Sequence, residues 1–60
     1  MSFYERIDEL KRKLIRQALR KSHGNMAEAG RVLGFNHRNT IIHNCDRLGI
    51  DPSAFERKTA

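Results

Sequence analysis

The first third of the chain carries apolar residues at helical spacing. They repeat at intervals of four, three, four and four residues, at Phe3, Ile7, Leu10, Leu14 and Ala18. This period predicts an amphipathic α-helix over residues 3–21. Ser2 followed by Glu5 is a capping-box pattern, so the helix is expected to begin directly after Ser2.

A second apolar row, formed by Ile15 and Leu19, runs beside the first. One row would suffice for packing within a monomer, so two rows predict that one faces the rest of the chain and the other a second subunit. The expected homodimer interface consists of Phe3, Ile7, Leu10 and Leu14. The alternative is that both rows share one small core, because a chain of this size buries little surface.

Glycine residues divide the remainder into short helical segments. Gly24 is expected to stop the first helix in a left-handed conformation. Asn25 then caps a second helix over Met26–Leu33, with Glu28 at the third position of a capping box. Gly34 ends that helix.

Within this second helix the side chains are small or apolar. Val32 and Leu33 are expected to face inward. Ala29 and Gly30 are small, which should let the following helix approach closely.

The register of the third helix depends on the length of the turn before it. A turn of three residues in all would direct Thr40 and Asn44 into the core. A turn one residue longer, in which Gly34-Phe35-Asn36 and His37 all precede the helix, places three apolar residues on one face at helical spacing, namely Ile41, Cys45 and Leu48. We therefore predict the longer turn, a helix over roughly Arg38–Leu48, His37 or Asn36 as its N-cap, and Phe35 between the two helices.

The last segment resembles a short helical turn. Gly49 ends the third helix, Ile50 returns to the core, and Asp51 caps Pro52, a favoured first helical residue. Ser53–Arg57 is predicted to form one turn, with Phe55 closing the core and Lys58–Ala60 fraying. The predicted organisation is one domain over 1–60, with helix 3–21, a helix-turn-helix over 25–48 and a turn over 51–57.

Length and composition narrow the class of protein. The chain has 60 residues, one cysteine and a formal net charge of +5, which favours an anionic partner. No apolar run approaches the roughly 20 residues of a membrane span, and no signal peptide pattern is present, so a reducing cytoplasm is expected. We find no catalytic constellation and no metal or cofactor motif, and expect neither an enzyme nor a small-molecule substrate.

Five short motifs occur in a fixed order between about Glu5 and Ile50: LIRQAL, GN, a small-residue helix ending in LG, RNT and LGI. Their order and spacing resemble the Fis-type helix-turn-helix. That domain is shared by the nucleoid protein Fis and by activators of sigma-54 transcription. The resemblance implies an all-α homodimer, joined through the first helix, that binds double-stranded DNA.

The resemblance also assigns expected roles to side chains. Arg38 is expected to contact guanine or phosphate at the start of the recognition helix, and Ile42 a thymine methyl, although either could be merely solvated. The full set of candidate DNA contacts is Asn25, Asn36, His37, Arg38, Asn39, Thr40, Ile42, His43 and Arg47. Late residues of the first helix, Arg20 and Lys21, are weaker candidates for flanking phosphates.

The sequence departs from the family pattern in the longer turn and in acidic Glu28 and Asp46. Two other function classes therefore stay open. One is a helical dimerisation or protein-interaction module without DNA binding. The other is a basic amphipathic helix on a membrane surface, which would leave the turn chemistry of Gly24–Ile50 unexplained.

Overall fold

The computed structural model describes residues 2–56 of the chain. That part contains three α-helices, α1 (Phe3–Ser22), α2 (Met26–Val32) and α3 (Arg38–Leu48), followed by a 3₁₀ helix (Pro52–Phe55), and no strand. The all-α prediction is confirmed. Within residues 2–56 no helix combines the length and the apolar character needed to cross a bilayer.

The N-terminal end of α1 agrees with the predicted capping by Ser2. Its C-terminal end differs from the prediction. The Ser2 hydroxyl accepts a hydrogen bond from the Glu5 N–H at 3.2 Å. The left-handed C-cap is His23, with φ 55°, and not Gly24, which follows at φ 84°. The Gly24 N–H reaches back to the Leu19 carbonyl at 2.9 Å, so two successive left-handed residues close the helix.

The core lies where the three helices meet. α1 supplies Ile15, Ala18 and Leu19, and residues from α2, α3 and the following loop complete the buried set: Ala29, Ile41, Cys45, Leu48 and Ile50. Met26, Leu33, Phe35 and Phe55 pack against its edges.

The longer turn is confirmed. α3 begins at Arg38 with His37 in the N-cap position, and Ile41, Cys45 and Leu48 are all buried. The Phe35 N–H donates to the Gly30 carbonyl at 2.8 Å, which holds the turn against the end of α2. This turn sets the direction in which α3 leaves the core.

The expected inward orientation of Val32 is wrong. Val32 is 51% exposed, because it lies about 160° around the helix from the buried Gly30. Ala29 and Gly30 are both buried, as expected of small residues that let α3 approach, and a Cβ on Gly30 would lie 3.6 Å from Ile41 Cγ2, an ordinary van der Waals distance. α2 also ends one residue earlier than predicted, with Leu33 as its C-cap.

The C-terminal segment forms the predicted helical turn as a 3₁₀ helix over Pro52–Phe55, with Asp51 as its N-cap. Asp51 accepts hydrogen bonds from the Ser53 N–H at 3.0 Å and from its hydroxyl at 2.7 Å. Arg57 and the predicted fraying at Lys58–Ala60 lie outside the described residues. The segment passes so close to the α1–α2 corner that a Cβ on Gly24 would lie 2.9 Å from the Pro52 carbonyl oxygen.

Candidate nucleic-acid interface

α3 presents a polar face to solvent because its apolar face is used by the core. Ile41 and Cys45 are buried, so residues half a turn away around the helix must point outward. Asn39 and His43, four residues apart, lie in this outward row and are exposed. Asp46, three residues further on, continues the row with an acidic side chain.

The N-terminal end of α3 is open to solvent. His37 occupies the N-cap position, yet within residues 2–56 its side chain accepts no hydrogen bond from the first turn of the helix. The Thr40 N–H donates to the His37 carbonyl at 3.1 Å, whereas the N–H groups of Arg38 and Asn39 have no acceptor among residues 2–56 and are available to one from outside the chain. Asn36, His37 and Arg38 are all exposed at this end.

A shallow concavity lies in the corner between α2 and α3. Asn36, His37 and Arg38 line it from the turn and α3, and Arg31 lines it from α2. Arg31 also forms a surface ion pair with Glu28, with 3.4 Å between Nη1 and Oε2. The corner thus brings together two guanidinium groups, one amide and one imidazole on one exposed surface.

Three further predicted contacts lie outside the corner and the outward row of α3. Thr40 is exposed, and its carbonyl accepts a hydrogen bond from Asn44 Nδ2 at 2.8 Å. Ile42 is 37% exposed. Asn25 lies at the start of α2, where its Oδ1 accepts the Glu28 N–H at 3.1 Å, so the predicted cap is confirmed and its amide nitrogen remains a donor.

Arg47 is directed differently from the other candidates. Its Nη2 lies 3.3 Å from Asp8 Oδ1 on α1, and its side chain stays 65% exposed. The structure therefore places Asn36, His37 and Arg38 around the corner and Asn39 and His43 on the outward row of α3, whereas Arg47 lies toward α1.

Sequence reasoning missed one member of the corner. Arg31 was not a candidate, although it follows Ala27 by four residues and therefore shares its side of α2. That spacing was the available signal. It could not be used without knowing which side of α2 faces the turn.

Cys45 belongs to the core and not to the exposed surface. It is 3% exposed, and burial raises the pKa of its thiol, which disfavours the reactive thiolate. Among residues 2–56 no cluster of three or more His, Cys, Asp or Glu side chains has the arrangement of a metal site.

A second unusual surface lies on α1. Phe3 is 71% exposed, Leu10 56% and Leu14 45%, whereas Ile7 is half-buried. Tyr4 is also exposed, and its ring contacts that of Phe3 edge to face at 5.4 Å. The row continues into a groove between α1 and α2 that is lined by Leu14, Gln17, Ala18, Val32 and Leu33 and, at its basic side, by Arg20 and Lys21.

Comparison with known proteins gives a match to one family. The model of the family described as "Bacterial regulatory protein, Fis family" matches residues 6–42, which is more than half of the chain. The match covers most of α1, all of α2, the turn and the first residues of α3. Neither the curated proteins nor the solved structures gave a match.

Proposed function

The chain belongs to the Fis family of bacterial regulatory proteins, and we propose that it binds a specific, pseudo-palindromic DNA site as a homodimer. Domains of this family bind DNA and regulate transcription, and they are not enzymes. The observation that carries the proposal is the exposed polar face of α3, which continues at its N-terminus into the guanidinium-lined corner. This face carries several hydrogen-bond donors, and base edges and phosphate oxygens are matching acceptors.

The dimensions of α3 suit a major groove. The helix has 11 residues and is therefore about 16 Å long. The major groove of B-DNA is about 12 Å wide and admits one α-helix. Asn39 and His43 lie on the side of the helix that would face the base edges, and Arg38 lies at the end that would enter first.

The proposed roles follow from donor chemistry. Arg38 has a planar fork of donors that matches O6 and N7 of guanine, and Asn39 has the donor–acceptor pair that matches adenine. His43 is placed one helical turn further to contact a second base. Asn25, Asn36, His37 and Thr40 lie at the edges and would contact phosphates, whereas Ile42 would contact a thymine methyl group.

The exposed apolar row on α1 supports the homodimer. Large side chains such as Phe3 and Leu10 would gain free energy if a partner covered them. Phe3 lies 11 residues before Leu14, about 16 Å along the helix. Antiparallel pairing about a two-fold axis between them would bring each Phe3 to the groove beside Leu14 and Val32 of the other copy, which makes the surface self-complementary.

We further propose that the domain acts in the bacterial cytoplasm as the DNA-binding part of a sigma-54 activator. The support is the resemblance of motifs LIRQAL, RNT and LGI to those activators. In this role the domain positions a regulator on DNA and carries out no chemistry.

Selection of bound duplexes from a random pool, followed by affinity measurements at several salt concentrations, tests the proposal. We expect an enriched site with two related half-sites about one helical turn apart. The logarithm of the affinity should fall linearly with the logarithm of salt, with a slope of about −0.9 for each phosphate neutralised. Affinity that is equal for the selected and a scrambled duplex would refute specific recognition.

The second candidate function is a protein-interaction module, favoured by the same exposed apolar row on α1. In that case the row would bind another protein and the basic residues would serve solubility. The absence of any complex with duplex DNA at low salt, together with a stable dimer in sedimentation, would support this alternative.

A further inference from the structure

α1 and the C-terminal end of α3 are joined by two polar contacts. Arg12 Nε donates to the Leu48 carbonyl oxygen at 3.1 Å in a partly buried position. Arg47 Nη2 lies 3.3 Å from Asp8 Oδ1. We call these four groups the α1–α3 clip: the side chains of Asp8, Arg12 and Arg47 and the carbonyl of Leu48.

The clip has a regular geometry on both helices. Asp8 and Arg12 are four residues apart on α1 and therefore lie on the same side of that helix. Arg47 and Leu48 are consecutive residues at the end of α3. An acid and a base on one helix thus bind a base and a carbonyl on the other, so a shift of either helix along the other breaks both contacts.

Arg12 acts at a chemically suitable place. The last four carbonyls of a helix have no partner within the helix, and the helix dipole makes this end negative. A guanidinium there provides both a donor and a positive charge. The contact is partly buried, so it is less exposed to competition from water than the ion pair between Asp8 and Arg47.

The clip controls orientation because it lies at one end of α3 and the proposed DNA contacts lie at the other. The core residues Ile41 and Cys45 hold the helix by apolar packing, which resists separation more than it resists tilting. With an 11-residue helix, a tilt of about 10° about the clip would move the Arg38 end by about 3 Å. This is close to the rise of one base pair, about 3.4 Å.

We propose that Arg12, supported by Asp8, is a positioning residue that sets the half-site spacing at which the dimer binds DNA. The inference rests on the proposed function, because α1 carries the proposed dimer interface and α3 the proposed base contacts. The angle between these two helices then determines the distance between the two recognition helices. Arg12 belongs neither to the proposed DNA contacts nor to the apolar row of α1, so its effect is on geometry.

The experiment uses duplexes in which the centre of the selected site is shortened or lengthened by one or two base pairs. Dissociation constants are measured by fluorescence anisotropy for wild type, Arg12→Met and Lys13→Met. The two variants lose the same charge on the same helix, but Lys13 is exposed and lies outside the clip.

Wild type is expected to prefer one spacing. For Arg12→Met, the ratio of the dissociation constants at the altered and the best spacing should fall by about three- to tenfold, within the range that a typical net hydrogen bond carries. Lys13→Met should keep the wild-type ratio even if its affinity falls at every spacing. An unchanged ratio for Arg12→Met overturns the inference.

Two more variants keep the test decisive if Arg12→Met fails to fold. Asp8→Asn removes the ion pair and should lower the same ratio by a smaller factor. Arg12→Lys keeps a charged donor, so its ratio should lie between those of Arg12→Met and wild type. Wild-type ratios in both variants overturn the inference. Failure of wild type to bind any duplex refutes the proposed function itself, which is a distinguishable result.

Discussion

Replacing Gly30 with alanine is expected to stabilise the protein. Gly30 is a buried residue inside α2, where glycine is unfavourable because it loses the most backbone freedom on folding. A Cβ at this position would lie 3.6 Å from Ile41 Cγ2 and 3.9 Å from Phe35 Cβ. Both are ordinary contact distances, so the added methyl group needs no movement of its neighbours.

The magnitude follows from two contributions. Alanine is favoured over glycine in a helix interior by about 0.8–1.0 kcal/mol. A buried methyl group contributes up to about 0.8 kcal/mol more, from which the imperfect fit in a seven-residue helix must be subtracted. We expect a gain of about 1 kcal/mol, which for a domain of this size raises Tm by about 4–8 °C.

Thermal and urea unfolding followed by circular dichroism measure this effect, at a fixed protein concentration because dimerisation would add to stability. Gly24→Ala is the matched control with the opposite sign. Gly24 has φ 84°, and a Cβ there would lie 2.9 Å from the Pro52 carbonyl oxygen, so this variant should be destabilised by more than about 1 kcal/mol. A lower Tm for Gly30→Ala, or an unchanged Tm for Gly24→Ala, would refute the reasoning.

Three further predictions follow from the described surfaces. Arg38→Ala should lose about 1–3 kcal/mol of specific DNA binding with unchanged helicity, and a preserved sequence preference in anisotropy measurements would contradict this. Leu10→Lys removes an apolar side chain that is 56% exposed in the monomer and should raise the dimer dissociation constant by about tenfold or more in sedimentation, whereas the control Ala54→Lys should not. Cys45 should react slowly with thiol reagents until the protein unfolds. Burial raises the pKa of its thiol above 9.0, so the thiol of the unfolded chain loses its proton at a lower pH than the thiol of the folded chain. The free energy of unfolding should therefore fall as pH rises above that value.

The arrangement of the core could be predicted where the apolar pattern was long enough. α1 has 20 residues and α3 has 11, so each shows several repeats of the helical period. For α3 this pattern distinguished two turn lengths, because only the longer turn places Ile41, Cys45 and Leu48 together. Their burial confirms the choice.

α2 was too short for the same argument. Its seven residues make two turns, and a single apolar residue such as Val32 can be assigned to either side. The end of α1 was misjudged for a different reason. Glycine is the usual left-handed residue, but histidine is also found there, and the choice between His23 and Gly24 depends on hydrogen bonds that spacing does not reveal.

Part of the candidate site could be predicted because the apolar pattern sets the register of α3. The open end of α3 follows from its register, so Asn36, His37 and Arg38 could be placed there. The position of Arg47 could not, because its partner Asp8 is 39 residues away in sequence. An ion pair of this kind depends on how α1 crosses α3, which no local pattern contains.

The distribution of charge bears on why the proposed binding would require two copies. The net charge of +5 is not concentrated on the face that would meet DNA. Near α3, Arg31 is paired with Glu28 and Arg47 with Asp8, whereas Asp46 has no ion-pair partner among residues 2–56. Non-specific affinity depends on the number of phosphates neutralised, so one copy with few unpaired cations at this face should bind weakly. A dimer doubles that number. The slope of affinity against salt for a Leu10→Lys monomer on one half-site should therefore be about half that of the wild-type dimer on a full site. Equal slopes would show that the second copy adds no phosphate contacts.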